Sequence, residues 1–259
     1  MQKVTLLIDG DLVVYQATSS VEQEIQWDDD LFTLHSEPEE AKGIILEQIN
    51  RWKERFNATG VVVAFSDSHN FRKDIYPMYK ANRKTKRKPV AYKSVKEWMR
   101  NQWTSGTLPG LEGDDILGIY STHPTLIEGQ KIIISMDKDF LTIPGYFWNP
   151  EKMADLVYTH PSEADYNHMY QTLTGDAADG YPGLPGCGPV KAEKLLTDIA
   201  PEDWWKAVVE AYEKKGLTEE DALVQARCAR ILRYTDYDLD KKEVKLWQPM
   251  ISVADVRAV

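Results

Sequence analysis

The acidic residues of this sequence recur at short spacings: Asp9 with Asp11, then Asp67, then Glu112, Asp114 and Asp115, then Asp137 and Asp139, then Asp176 and Asp179. Two carboxylates ~4 Å apart repel by roughly 4 kcal/mol at an effective dielectric near 20, so a fold that gathers several of them requires cations. Oxygen ligands alone favour Mg2+ or Mn2+ over zinc, which prefers His or Cys. Two such ions ~4 Å apart can activate a water and stabilise the leaving oxygen of a phosphodiester. Each group has a simpler reading when taken singly. Glu112-Gly113-Asp114-Asp115 suits the first turn of a helix, where the dipole favours negative charge, and the Asp137 and Asp176 groups suit turns. Taken together, the groups point to metal binding.

Two further stretches carry chemistry of the opposite sign. Residues 72–100 hold eleven Lys or Arg against two acids, with Tyr76 and Tyr79 set among the cations. A charged solvated loop is one reading; aromatics beside Lys and Arg also suit unstacked bases and their phosphates. Lys80 and Arg83, three apart, would share one face of a helix. The segment lies between Asp67 and Glu112 in the chain, so it can overhang the acidic groups. Gly183-Leu184-Pro185-Gly186-Cys187-Gly188-Pro189-Val190-Lys191-Ala192-Glu193-Lys194 is the second stretch. Its glycines allow backbone N–H groups to approach a phosphate at the start of a helix, and Lys191 and Lys194 can add contacts that read no sequence. An ordinary turn between helices is the alternative.

The elements that must place these residues are legible in part. Val4–Ile8, Val61–Phe65 and Lys131–Ser135 are apolar runs without alternation, as expected of strands covered on both faces of a parallel sheet. Each runs into an acid, and sites in open α/β sheets form beyond the carboxyl ends of strands. Between the first two, Ala41, Ile44, Ile45, Ile49, Trp52 and Phe56 mark a helical face over 39–56. After about residue 161 the texture turns to helices and Gly/Pro loops. Helix starts are expected at Ser162–Asp165, at Pro189 running through Leu196, and at Thr218–Asp221 running towards Arg233. Glu243–Trp247 reads as a late strand or hairpin arm. The expected organisation is a core over 1–160 with an insertion at about 68–110, then a second lobe over 161–259 with C-terminal helices and a short terminal strand.

Composition bounds the rest. The chain of 259 residues is 42% hydrophobic and 28% charged, ordinary for a folded protein with a core. No apolar run reaches the ~20 residues needed to cross a bilayer, and the strand-like start leaves no room for a leader. The two cysteines, Cys187 and Cys228, make no disulfide framework and suit a reducing cytoplasm. The net charge of −10 sits unevenly, with residues 72–100 at +9, so an acidic total is compatible with a DNA partner.

The ordered set resembles the 5′ nuclease (flap endonuclease) superfamily, and most of all the 5′–3′ exonucleases of short-tailed T-odd bacteriophages. The motifs are Asp9 and Asp67 after strands, E-x-D-D at Glu112, Asp114 and Asp115, and D-x-D at Asp137 and Asp139. They continue with G-D-x-x-D at Asp176 and Asp179, and G-x-G-P-x-K-A from Gly186 and Gly188 to Ala192. The run Phe71-Arg72 through Tyr76-Pro77-Met78-Tyr79-Lys80-Ala81-Asn82-Arg83 matches the family's arch signature, and Ala229–Arg233 with Leu246–Pro249 extends the likeness. The resemblance implies an α/β, PIN-like core with a mainly parallel sheet, a basic helical arch and a C-terminal helix–hairpin–helix lobe. It implies a metal-dependent 5′–3′ exonuclease of double-stranded DNA, with 5′ flap endonuclease and RNase H-like activity, acting in phage replication or host DNA degradation.

By the same resemblance Asp9, Asp67, Glu112 and Asp114 hold one Mg2+ or Mn2+, and Asp137, Asp139 and Asp176 lie around a second. Asp115 and Asp179 bind through water. Lys80 and Arg83 act with Asp114 and Asp137 at the scissile phosphate, and Tyr79 stacks on a terminal base. Arg72, Tyr76, Lys84, Lys191 and Lys194 contact DNA, and the Gly186–Gly188 hairpin grips the duplex backbone with K+. The partner implied is DNA with a free 5′ end, flap or nick, or an RNA–DNA hybrid, met by a monomer away from membranes.

Two other readings stay open on sequence alone. Asp9-Gly10-Asp11 imitates the D-x-D of haloacid dehalogenase-type phosphatases, which work through an aspartyl-phosphate, but that reading gives the basic segment and glycine hairpin no role. A DNA-binding protein without catalysis is the other.

Overall fold

The structure is a computed structural model that describes residues 3–83 and 87–249. The chain divides into two compact units. The first takes Met1–His69, Lys86–Phe140 and Gly145–Tyr158, and the second takes Asn70–Thr85, Leu141–Pro144 and Thr159–Val259. Residues 250–259, the end of the expected 161–259 lobe, lie outside the described residues.

In the first unit, β1 (Val4–Asp9) leads directly into α1 (Gly10–Ser20). A hairpin of β2 (Glu22–Asp28) and β3 (Leu31–Ser36) follows, then α2 (Pro38–Phe56) and β4 (Gly60–Ala64). The apolar run at Val4–Ile8 forms a strand because β-branched and leucine side chains find cover on both faces. Leu6 and Ile8 pack with Val63, Ile132 and Ile134 against Val13, Val14, Ile45, Ile49, Val95 and Met99. Leu7 and Ile133, next along their strands, point to the opposite face and are equally buried.

The basic segment does not form a long helix. Among the described residues it contains α3 (Arg72–Ile75), a 3-10 turn at Ala81–Arg83, and α4 (Tyr92–Gln102). Pro77 disfavours helical backbone at Tyr76, and Lys80 sits at φ +53, so the helical face expected for Lys80 and Arg83 is broken between them. Next come β5 (Thr104–Gly106), α5 (Gly113–Thr122), β6 (Gln130–Ile134), β7 (Gly145–Trp148) and β8 (Val157–Thr159). The six-stranded sheet runs β5-β4-β1-β6-β7-β8. The β1–β4, β1–β6, β4–β5 and β6–β7 pairs are all parallel.

The second unit is mainly helical: α6 (Pro161–Thr174), α7 (Pro189–Leu196), α8 (Trp204–Glu213) and α9 (Glu219–Ala229). A short antiparallel pair, β9 (Tyr237–Asp238) with β10 (Glu243–Val244), ends the described part. Its core joins Met169, Leu173, Leu184, Ala192, Leu196, Trp204, Val208, Tyr212 and Ala222. At the crossing of two loops, Gly175 (φ +66) and Gly183 (φ +63) touch backbone to backbone. A Cβ on either would lie 2.3 Å from the other's chain, so neither position admits a side chain. No helix among the described residues is long and apolar enough to cross a membrane.

Candidate functional site

The sheet register places the first unit's acids on one edge. Asp9 ends β1 opposite Ala64 of β4, and Ile8 lies opposite Ile134 of β6. Asp67 follows Ala64 by three residues, and Asp137 follows Ile134 by three. Adjacent strands are about 4.8 Å apart, so three neighbouring strands end in this acidic row. Gly10 permits the abrupt turn after Asp9: a Cβ there would sit 2.4 Å from the Phe65 ring.

The remaining acids are tied to the same edge through backbone. The Asp67 N–H donates to Leu111 O at 2.9 Å, and the Gly113 N–H donates to Ser66 Oγ at 3.0 Å. These bonds set Glu112 and Asp114, on either side of Gly113, against the end of β4. Six carboxylates from four chain segments thus share one sheet edge, all oxygen donors, which is the ligand set Mg2+ or Mn2+ takes.

Three of these six carboxylates accept from backbone N–H groups. Asp9 accepts from Leu12 N at 3.1 Å, and Asp137 accepts from Asp139 N at 2.9 Å. Asp67 accepts from Gly110 N at 2.9 Å and Ser68 N at 2.7 Å. The N–H of Gly110, then that of Ser68, hold the Asp67 carboxyl below the usual range, outweighing its slight desolvation. Among the described residues, no group of three or more acids, His or Cys stands already gathered to hold a metal ion.

Two assignments made from sequence change, those of Asp115 and Asp179. Asp115 is fully buried at 0% exposure, and its Oδ2 accepts from Glu112 N at 3.2 Å. It caps α5 rather than facing the edge, the simpler of the two readings given above. Asp176 Oδ1 accepts from Ala178 N at 2.6 Å and Asp179 N at 3.1 Å, shaping its own turn. Asp179 takes the cations of the basic segment: Lys80 Nζ at 3.3 Å, Arg83 at 2.5 Å, and the Tyr79 hydroxyl at 3.0 Å. The Lys80 N–H also donates to Asp179 O at 2.7 Å, and Asn82 Nδ2 reaches Ala178 O at 3.2 Å. Lys80 and Arg83 thus meet at one carboxylate instead of along one helix face.

Two residues expected at DNA are inside the second unit. Arg72 is 2% exposed; its guanidinium donates to Cys228 O at 3.1 Å, in the last turn of α9, and to Arg230 O at 2.5 Å, just after it. Tyr79 is 3% exposed and stacks on Tyr181 at 6.2 Å, in a cluster with Cys228 and Ala229 that Tyr76 flanks. Neither can meet a base without leaving this packing. Nothing local in the sequence separates a buried arginine from a basic surface; the signal lies in carbonyls about 156 residues away. Lys84 lies outside the described residues.

The glycine hairpin is open. A Cβ on Gly186 or Gly188 would meet nothing within 4 Å. Gly186 has φ +71 and Gly188 is the N-cap of α7. Lys191 and Lys194 are exposed and Val190 is 81% exposed. Bare backbone N–H at a helix start, with cations in the first two turns, is a surface an anionic backbone can approach closely.

Sequence reasoning missed Asp11 as anything but half of a D-x-D. Its Oδ1 accepts from the Tyr92 hydroxyl at 2.6 Å and Lys96 Nζ at 2.5 Å, and its Oδ2 accepts from Ser66 N at 2.6 Å. Burial raises this carboxyl's pKa, but bonds from Lys96 and Tyr92 bring it below the usual value. An acid spent in this way is not the proton donor that a phosphatase of the dehalogenase type requires.

A parallel sheet with an acidic row at the ends of three neighbouring strands, joined to an open helix–hairpin surface in a second unit, defines a nuclease of the 5′ type. Residues 4–149 match the 5′–3′ exonuclease, N-terminal resolvase-like domain, and the chain belongs to that family. It is 33% identical to the exodeoxyribonuclease of Enterobacteria phage T3 over 95% of this chain and 93% of that one. It is likewise 33% identical to the exonuclease of Escherichia phage T7, over 95% and 94%. A flap endonuclease Xni of Shewanella oneidensis is 26% identical over 52% of this chain. In fold it resembles the T5 5′-exonuclease solved with zinc ions bound, with a TM-score of 0.64 at 14% identity, covering 88% of this chain and 93% of that one. The protein is a nuclease, and the reading as a binding scaffold without catalysis falls away.

Proposed function

We propose that this nuclease hydrolyses phosphodiesters from the 5′ ends of double-stranded DNA, and at 5′ flaps and nicks, with two Mg2+ or Mn2+ ions. The observation that carries the reading is the acidic row on one sheet edge: Asp9, Asp67, Glu112, Asp114, Asp137 and Asp139. Asp9, Asp67, Glu112 and Asp114 would hold one ion; Asp137 and Asp139 would serve the second. Bound there, the ions lower the pKa of a water and stabilise charge on the scissile phosphate and leaving oxygen. The metal-bound relative and those named for exonuclease and flap endonuclease activity support this reading.

The chain's own groups supply placement. Asp67, held ionised by the Gly110 and Ser68 N–H groups, presents a negative ligand at neutral pH. Lys80 and Arg83 exchange Asp179 for a phosphate when DNA arrives and stabilise the charge that develops on it. The hairpin at Gly186 and Gly188, with Lys191, Lys194 and a K+ ion, grips the duplex backbone. RNA strands of RNA–DNA hybrids fit the same contacts, because none of them reads a base. The enzyme works as a monomer in the reducing cytoplasm of a phage host, in keeping with its two free, buried cysteines. Incubating 5′-labelled blunt duplex, nicked duplex, 5′ flap and hybrid with and without Mg2+ tests this. Short 5′ products that require the metal are expected, and metal-independent cleavage overturns it.

A further inference from the structure

Asp11 lies in the first turn of α1, two residues beyond Asp9, and has no place in the chemistry just described. It nonetheless accepts three hydrogen bonds from two other segments of the first unit. One oxygen receives the Ser66 N–H at 2.6 Å, and the other receives the Tyr92 hydroxyl at 2.6 Å and Lys96 Nζ at 2.5 Å. Its side chain is 22% exposed and that of Lys96 18%. The Lys96 ammonium also lies 5.1 Å from the centre of the Phe65 ring and 5.9 Å from that of Tyr92. This places a charged pair on an aromatic floor directly beneath the end of β4.

From this one carboxylate, short paths run to several acids of the edge. Asp9, two residues back, is the N-cap of α1. Asp67 is the next residue after Ser66. Glu112 and Asp114 flank Gly113, whose N–H donates to Ser66 Oγ at 3.0 Å. On its other side Asp11 holds α4, the helix that closes the basic segment. An apolar trio of similar volume would fill the space without the desolvation cost of burying an ion pair. What such a trio could not do is fix the Ser66 N–H, and with it the direction in which the loop carries Asp67.

We infer that Asp11, braced by Tyr92 and Lys96, is a positioning residue that sets the Asp9, Asp67 and Glu112–Asp114 segments at the distances a divalent ion requires. It touches neither ion nor substrate. Partners one step outside a metal's ligands usually contribute 10- to 100-fold to metal affinity or activity. The inference rests on the metal-dependent reading of the edge.

The test compares Asp11→Ala, Asp11→Asn and the double variant Asp11→Ala/Lys96→Met with the unaltered chain. Readouts are kcat, KM for 5′-labelled duplex, the Mg2+ concentration at half-maximal rate, and melting temperature. Asp11→Ala is expected to lower kcat by about tenfold or more and raise the Mg2+ requirement, with KM for DNA unchanged. Asp11→Asn keeps one acceptor for Ser66 and recovers part of the rate. In the double variant, loss of the stranded ammonium restores melting temperature while kcat stays low. If kcat instead recovers together with melting temperature, Asp11 only supports the fold and the inference fails. A changed KM for DNA at unchanged kcat and Mg2+ requirement would make Asp11 a DNA contact and equally end it. Should the unaltered chain itself cleave without Mg2+, the reading of the edge fails first, which the same assay shows separately.

Discussion

Three acids at the strand ends of the first unit and Asp179 of the second are satisfied by different partners. At the strand ends of the first unit, Asp9, Asp67 and Asp137 accept from backbone N–H groups of their own loops. In the second unit, Asp179 accepts from Lys80, Arg83 and Tyr79. An N–H dipole orients a carboxylate and leaves its full charge in place, whereas two cations neutralise it. Under the proposed function, a divalent ion binds on the sheet edge and not at Asp179, whose charge Lys80 and Arg83 already balance. The difference also assigns Asp179 a different task, holding the segment that carries Lys80 and Arg83 in a defined shape.

Removing an acid from the edge should therefore have the largest effect. Asp114→Ala is expected to lower cleavage by at least about a hundredfold, through loss of charge stabilisation worth several kcal/mol. Duplex binding, followed by anisotropy, should survive; cleavage at the normal rate would remove Asp114 from the metal site. Lys80→Ala comes next, slowing single-turnover hydrolysis by on the order of a hundredfold while duplex affinity changes little. Parallel losses in both would make Lys80 an anchor only.

Asp179→Asn sharpens the contrast most directly. A rate loss of about tenfold is expected at an unchanged Mg2+ midpoint, because the variant disorders a counter-ion rather than a ligand. A midpoint shifted as far as that of Asp67→Asn would return Asp179 to the metal site and erase the distinction between the units. The smallest effect belongs to Lys191→Ala on the open hairpin. Duplex binding should weaken modestly, and the slope of log affinity against log salt should flatten by about one phosphate contact. An unchanged slope would take Lys191 off the DNA.

Where the sequence was readable, the reason is local. The runs at Val4–Ile8, Val61–Phe65 and Lys131–Ser135 became β1, β4 and β6, because β-branched residues without alternation suit only a doubly covered strand. The helix at Pro189–Leu196 has the expected ends, since proline and glycine act on backbone angles directly. Glu39–Phe56 became α2, started one residue earlier by Pro38. The helix expected to run towards Arg233 stops at Ala229, and the Arg72 guanidinium bonds the Cys228 and Arg230 carbonyls on either side of that point. The β2–β3 hairpin was not read at all. Its apolar residues, among them Trp27 at 66% exposure, lie on no core, so no burial pattern marks it.

By itself the sequence determined which acids stand at the ends of which strands, because that depends on side-chain types and their order along a few residues. Tertiary structure alone decided what each charge is used for. Asp115 became a helix cap, Arg72 a buried donor to carbonyls, Asp179 a counter-ion and Asp11 a brace. Each outcome depends on which donor or acceptor arrives from elsewhere in the chain, and a charged side chain looks the same in sequence whether its partner is solvent, a metal or a carbonyl.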